Sequence, residues 1–252
     1  MVVDRRASAG TAFYARHGGK LADWWTLLHP PYTLWHLSYV VMGAALAPRL
    51  SWAMLAATVL AFFLAVGLAA HALDELRGRP LGTAISSHML WIVASVSLAG
   101  AVLLGALAVP HSNVLLVPCI ALGVLLVLGY NLELFGGRLH TDIGFAAAWG
   151  GFPILVGFIA QAPPLGRPVT AGALVLALAA TGLSYTQRRL STPARALRRR
   201  VSSVHGVMTM LDGTQYPLDR AALLAPLEAA LKTLSITMPM LALALLLAHS
   251  KA

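Results

Sequence analysis

AHALDELRGRPLGT, residues 70–83, separates two apolar runs of the chain. It places two adjacent carboxylates, Asp74 and Glu75, and two guanidiniums, Arg77 and Arg79, between those runs. An unpaired ion in a packed apolar interior costs several kcal/mol, so these side chains must face water, lipid headgroups or a polar cavity. The stretch therefore predicts the polar mouth of a transmembrane helical bundle.

The same four charges predict chemistry at that mouth. Carboxylates are ligands for a hard divalent cation such as Mg²⁺, which keeps positions open for phosphate oxygens. We therefore interpret Asp74 and Glu75 as candidate metal and catalytic residues. Arginines bind phosphates directly through their planar donors, which makes Arg77 and Arg79 candidate substrate-binding residues. The alternative is an ordinary cytoplasmic loop, in which the two acids pair with the two arginines.

Composition supports an integral membrane protein. The chain has 252 residues, of which 58% are hydrophobic and 11% are charged, whereas soluble domains carry about 25% charged residues. The apolar runs are too long for membrane β-strands, so the predicted class is all-α, a polytopic transmembrane helical bundle forming one domain over residues 1–252. Seven spans are predicted, near residues 32–48, 52–73, 85–109, 113–130, 143–161, 169–185 and 223–248. Residues 1–31 are predicted to be an interfacial segment and 186–222 a cytoplasmic loop.

The basic residues predict the orientation. A cytoplasmic N-terminus leaves Arg49, Arg167 and Lys251 outside and the rest of the 18 Lys and Arg residues inside. Such a bias is typical of cytoplasmic loops, so it explains the net charge of +9 without nucleic acid, and membrane lipids are the expected surroundings. We expect a multi-pass protein of the inner (plasma) membrane, with its charged clusters gathered at one cytoplasmic mouth.

A second cluster closes the fourth span. Tyr130, Asn131 and Glu133 lie within one helical turn, and Arg138 follows after two glycines. These side chains could project together into a cavity with Arg138 returning toward its mouth, which makes Tyr130, Asn131 and Arg138 candidate site residues. The alternative is an interfacial tyrosine followed by a solvated loop.

Arginines dominate the third cluster, which follows the sixth span. Arg188, Arg189 and Arg195 precede the run 198–200, and no acid occurs between Asp142 and Asp212. Guanidiniums cannot ligate Mg²⁺, but they neutralise phosphate without a metal. We predict that Arg188 and Arg189 face the mouth while residues 198–200 meet lipid headgroups. The alternative is that the whole run is a positive-inside signal.

Histidines near the predicted span ends raise the question of a metal or haem. His36, His71, His88 and His140 show no close ligand pair at helical spacing. We expect them to be interfacial hydrogen-bonding residues.

These clusters together resemble the UbiA-type membrane prenyltransferases. The resemblance rests on Asp74 with RGRPLGT, on Tyr130 and Arg138, on WGGFP at 149–153 with Gly157, and on HPPYT at 29–33. In that family the first motif reads Asn-x-x-x-Asp-x-x-x-Asp, and here Ala70 and Gly78 stand at its first and last positions. The family's second aspartate motif and two of its usual nine spans are missing.

The resemblance implies a UbiA-like fold that binds an isoprenoid diphosphate, or another phosphorylated lipid, and transfers the prenyl group to an acceptor. Mg²⁺ on Asp74 and Glu75 and the arginines, with Arg188 and Arg189 among them, would hold the diphosphate. Tyr130 and Trp149 would stabilise an allylic cation through their π faces. Two alternatives remain: a UbiA-type terpene cyclase, or a non-catalytic lipid-binding or scaffolding protein on the same fold.

Overall fold

The computed structural model describes residues 12–16, 18–164 and 169–249. It is 74% helical. The helices are α1 (Lys20–Leu28), α2 (Pro30–Ala45), α3 (Trp52–Leu76), α4 (Ser87–His111), α5 (Leu116–Asn131), α6 (Asp142–Gln161), α7 (Ala171–Arg199) and α8 (Arg220–His249). Between α7 and α8 lies an antiparallel hairpin of β1 (Val207–Thr209) and β2 (Gln215–Pro217), in which Met208 pairs with Tyr216.

Four helices of the described residues are long and apolar enough to cross a membrane, namely α3, α4, α6 and α8. Helix α5 is apolar but shorter, and it occupies the fourth predicted span. Four of the basic residues that predict the orientation lie outside the described residues, namely Arg5, Arg6, Arg167 and Lys251. The coarse class is therefore a helical membrane protein, and the seven spans with their orientation stay predictions.

Hydroxyl side chains fix where several of these helices begin. Ser51, Ser86, Thr141 and Thr170 precede α3, α4, α6 and α7, and each accepts a hydrogen bond from the backbone N–H three residues later. Such caps satisfy a donor that the first helical turn leaves unpaired. Each polar residue that interrupts the apolar pattern at these places therefore starts a helix.

Helix α6 lies at the centre of the bundle. Its most apolar window is 67% buried, whereas those of α3, α4 and α8 are at most 28% buried and present their apolar surface outward. Glycines allow this close packing, because a Cβ at Gly157 would overlap the Val40 carbonyl of α2. A Cβ at Gly150 would lie 2.5 Å from the Ala180 carbonyl of α7. The small residues of α6 thus bring α2 and α7 against it.

Two helices contain π-helical segments, Phe63–Ala70 in α3 and Ala147–Gly151 in α6. Such segments are rare, and they are frequent at functional sites. The first ends directly before His71, and the second contains Trp149. Both residues line the polar cavity described below.

The segment predicted as a loop over 186–222 differs in the structure. Helix α7 continues through Pro193 to Arg199, and the loop is reduced to the hairpin and its flanks. Arginine and glutamine favour helix, and an ion pair between Arg198 and Glu228 holds the extension against α8. The basic residues therefore lie on a helix with a defined inner face.

Candidate functional site

A polar cavity of about 170 Å³ opens among the ends of α2, α3, α5, α6 and α7. Its walls contain four arginines, four histidines and one acid, together with aromatic and amide side chains. The charged members and the histidines are Arg188, Arg195, Arg198, Arg199, His29, His36, His71, His140 and Asp74. An opening lined this way can hold a polar group that carries negative charge.

The structure brings half of the residues predicted for the site to this cavity and leaves the other half elsewhere. Those that line it are Asp74, Tyr130, Asn131, Trp149 and Arg188. Those that do not are Glu75, Arg77, Arg79, Arg138 and Arg189. The residues of the second group either make contacts outside the cavity or are exposed.

Glu75 organises the loop that follows α3. Its side chain is fully buried. One carboxylate oxygen accepts hydrogen bonds from the backbone N–H and the hydroxyl of Thr83, and the other accepts one from the Leu81 N–H, all at 2.9 Å. The interpretation of Glu75 as a metal ligand and catalytic residue is therefore replaced by a structural role.

The two arginines of the same loop are also engaged away from the cavity. Arg77 donates to Glu133 at 2.7 Å and to the Leu132 carbonyl at 3.0 Å, which ties this loop to the end of α5. Arg79 donates to the Ile85 carbonyl and to Ser87 at the start of α4. Neither arginine pairs with Asp74 or Glu75, so the ion pairs expected for an ordinary cytoplasmic loop are not formed either.

The donor set at the cavity does not fit the Mg²⁺ site that the resemblance implies. Among the described residues, Asp74 is the one carboxylate in the cavity wall, and both oxygens of Glu75 accept hydrogen bonds from the loop. Across the described ranges, no three His, Cys, Asp or Glu side chains come together as a metal-ligand group. We therefore assign the recognition of an anion here to the arginines.

One face of α7 supplies those arginines. Gln187, Arg188, Ser191, Arg195, Arg198 and Arg199 follow the period of an α-helix and line the cavity together. Arg189 points away, with 66% of its side chain exposed, and lies 3.8 Å from Asp142. The expected division between residues 188–189 and 198–200 is therefore wrong, because helical phase selects the residues at the cavity.

Two of the four cavity arginines are already paired. Arg188 donates to Asp142 at 3.0 Å, and Arg198 donates to Glu228 at 2.6 Å. Arg195 and Arg199 have no ion-pair partner within 4 Å among the described residues. Burial, and then the charge of Arg195, lowers the pKa of the Arg199 guanidinium below its ordinary value. An anion between these two arginines would relieve their mutual repulsion.

Three histidines in the wall have defined tautomers. His36, His71 and His140 place Nδ1 within 3.1 Å of the carbonyls of Trp149, Gly67 and Tyr130, respectively. Because a carbonyl oxygen can only accept, each Nδ1 carries the proton and each Nε2 is an acceptor when the ring is neutral. His36 thereby joins α2 to α6 and His140 joins the loop before α6 to α5, whereas the His71 hydrogen bond lies within α3.

Buried polar atoms without a partner concentrate at this cavity. Among the described residues, His29 Nδ1, the Tyr130 hydroxyl, Gln187 Oε1 and Ser112 Oγ are buried and lack a hydrogen bond within the protein. Three of the four belong to cavity residues, namely His29, Tyr130 and Gln187. A buried polar group left unpaired costs about 1–3 kcal/mol, so such a cluster indicates a site for a polar ligand.

An aromatic wall separates the polar cavity from an apolar pocket. The Tyr130 and Trp149 rings lie 4.8 Å apart, and Phe145 stacks on Trp149 at 5.8 Å. Trp149 also lines a second pocket of about 100 Å³, whose other walls are apolar and small side chains of α3, α4, α5 and α6. Cys119 lies in that pocket wall. A single molecule with a polar head and an apolar chain could occupy both spaces.

The cavity also includes residues that the sequence did not place there, namely Tyr14, His29, Gln187, Arg195 and Arg199. Extending the helical period of the sixth span past residue 186 selects residues 187, 188, 191, 195, 198 and 199. The sequence of α7 therefore contains a helical period that indicates its cavity-lining residues. No comparable period selects Tyr14, which lies in irregular backbone, whereas His29 belongs to the HPPYT stretch on which the family resemblance partly rests.

Neither a protein-family model, nor a curated protein, nor a solved structure matches this chain.

Proposed function

We propose that this protein binds an isoprenoid diphosphate, or a similar phosphorylated lipid, with its headgroup in the polar cavity and its chain in the apolar pocket. The observation that carries the proposal is the position of Trp149 in the walls of both spaces. Arg195 and Arg199 are the cations available to the headgroup. The small side chains around the pocket, such as Ala101 and Gly123, leave room for a chain between α4, α5 and α6.

The proposed activity is transfer of the prenyl group, in keeping with the resemblance to UbiA-type enzymes. The bond between the allylic carbon and the diphosphate oxygen breaks, and its electron pair leaves with the diphosphate. Guanidiniums of Arg195 and Arg199 neutralise the developing charge. The rings of Tyr130 and Trp149 stabilise the allylic cation until a nucleophilic acceptor forms the new bond and loses a proton. Capture of the cation by a double bond of its own chain, followed by loss of a proton from the resulting cation, gives the cyclase variant.

A lipid-binding role without catalysis is the second candidate. It is favoured because Asp74 is the one carboxylate that the described residues place at the cavity, so the diphosphate would be held by arginines that are not arranged around a metal. This candidate shares the ligand and the cavity with the first. The two differ only in whether the bond between the prenyl carbon and the diphosphate oxygen is broken.

Orientation is part of the proposal. We place the N-terminus and the polar cavity on the cytoplasmic side of the inner (plasma) membrane, in a seven-span UbiA-like arrangement, because most of the basic residues lie there. A cysteine introduced at Ser191, which lines the cavity, should react with an impermeant reagent from the cytoplasmic side. Reaction from the opposite side alone would overturn this orientation.

Thermal unfolding in detergent tests the function. Farnesyl and geranylgeranyl diphosphate should raise the unfolding temperature in EDTA, whereas farnesol should raise it less, since it lacks the anion. Release of inorganic diphosphate in the presence of candidate acceptors separates the enzyme from the lipid-binding protein. A lack of stabilisation by any prenyl diphosphate, with or without Mg²⁺, would refute the proposal.

A further inference from the structure

The N-terminal segment before α1 contributes Tyr14 to the wall of the polar cavity. We call residues 12–16 the strap. Tyr14 of the strap lines the cavity, and its ring contacts His29 and Tyr32 edge to face, with centroids 5.2 and 5.4 Å apart. The cavity wall on that side is thus formed by a short irregular segment and not by a helix.

The strap is anchored through its backbone. The Trp25 indole N–H donates to the Tyr14 carbonyl at 2.9 Å. The Thr26 hydroxyl accepts from the Arg16 N–H at 3.0 Å and donates to the Arg16 carbonyl at 3.1 Å. The Arg16 guanidinium lies 4.1 Å from the centre of the Trp25 ring. None of these contacts uses the Tyr14 hydroxyl, so the hydroxyl is not needed to hold the strap in place.

The Tyr14 phenol, which can donate a hydrogen bond, shares the polar cavity with arginines, which only donate. Burial, and next the neighbouring Tyr32, raises the pKa of Tyr14, so the phenol stays protonated at neutral pH. Arg195, Arg198 and Arg199 of α7 line the same cavity as this phenol. Guanidiniums can only donate hydrogen bonds, and a protonated phenol also donates. An anion can accept hydrogen bonds from the phenol and from the guanidiniums together.

We propose that Tyr14 is a headgroup-binding residue and that the strap closes the polar cavity over the bound headgroup. The inference rests on the proposed function for the identity of the ligand. It adds a residue far from the charged clusters of the sequence, and it explains why an irregular segment is fixed by four contacts to α1. The phosphate oxygens accept from Tyr14 on one side and from Arg195 and Arg199 on the other.

Binding measurements test the role of the hydroxyl. Tyr14→Phe keeps the ring and the backbone anchors and removes one donor, so the affinity for farnesyl diphosphate in EDTA should fall by about tenfold or more. Tyr185→Phe is the matched control, because Tyr185 is 40% exposed on α7 and lies outside the cavity. Equal affinity of the wild type and Tyr14→Phe would overturn the role of the hydroxyl while leaving the proposed function intact.

Labelling tests the closing strap without any ligand. In a background with Cys119→Ser and Ser191→Cys, a hydrophilic thiol reagent reports access to the cavity. Tyr14→Ala should raise the labelling rate several-fold, whereas Tyr14→Phe and Tyr185→Ala should leave it unchanged. Equal rates in Tyr14→Ala and Tyr185→Ala would overturn the closing role. If the wild type binds no prenyl diphosphate, the proposed function and the role of the hydroxyl fail together, and the labelling rates still decide the role of the strap.

Discussion

Glu75 and Thr83 are joined by two hydrogen bonds, because one oxygen of the buried carboxylate accepts from both the N–H and the hydroxyl of Thr83 at 2.9 Å. This pair folds the loop that follows α3 back onto its own helix. The adjacent carboxylate, Asp74, lies in the wall of the polar cavity. Two neighbouring acids therefore have different roles, which their positions in the sequence do not reveal.

The difference predicts opposite phenotypes for two isosteric changes. Glu75→Gln replaces one accepting oxygen with a donor amide, so one of three buried N–H or O–H donors loses its partner. We expect it to lower the free energy of unfolding in detergent by about 2 kcal/mol. Unfolding monitored by circular dichroism measures this. A variant as stable as the wild type would show that the loop does not depend on the carboxylate.

Asp74→Asn should instead leave stability nearly unchanged and tighten binding of an anionic ligand. Removing the Asp74 charge from the cavity wall reduces repulsion of the headgroup, by about 1–2 kcal/mol for charges near a protein surface. Titration with farnesyl diphosphate in EDTA measures the gain. If the variant loses binding that Mg²⁺ supports in the wild type, Asp74 is a metal ligand and the arginine assignment is wrong.

The sequence identified where the charged clusters lie but not which charges are available to a ligand. Apolar length and Ser or Thr caps are local properties, so helices α3, α4, α6 and α8 follow from the pattern. Asp74, Tyr130 and Arg188 meet in one cavity, although they belong to three different helices. Arg77 and Arg79 were indistinguishable from them in sequence, because their partners Glu133 and Ile85 are set by the way the loops fold.

The apolar pocket predicts a chain-length effect. Gly123→Leu adds a side chain to the pocket wall beside Phe152. We expect geranylgeranyl diphosphate to lose about 1.5 kcal/mol of binding free energy, the transfer energy of two methylene groups, and geranyl diphosphate to lose less. Gly182→Leu is the control, since no atom lies within 4 Å of a Cβ at Gly182. Equal losses for both chain lengths would place the chain elsewhere.

Stability should fall as the pH falls because His29 is buried in the neutral form. Burial, and next the neighbouring His71, lowers the pKa of His29 well below its ordinary value. The unfolded chain takes up this proton near pH 6.5 and the folded chain does not, so stability is complete above pH 6.5 and declines below it. His29→Asn should flatten the decline in unfolding temperature between pH 7.5 and 5.5, since asparagine tolerates the left-handed backbone at this position. An unchanged pH profile in the variant would assign the decline to other groups.

Two pairs of substitutions with the same loss of charge test most directly whether arginines of the cavity bind an anionic headgroup. Arg195→Ala with Arg199→Ala removes the two unpaired cavity arginines, whereas Arg189→Ala with Arg200→Ala removes two arginines of α7 and its end that do not line the cavity. The measurement is the dissociation constant of farnesyl diphosphate in detergent, in EDTA and at fixed ionic strength. We predict a loss of at least about 100-fold for the first pair, since each charge-assisted hydrogen bond contributes about 1.5–3 kcal/mol, and little change for the second. Equal dissociation constants for the two pairs would contradict the account, because the arginines would then act only through their summed charge.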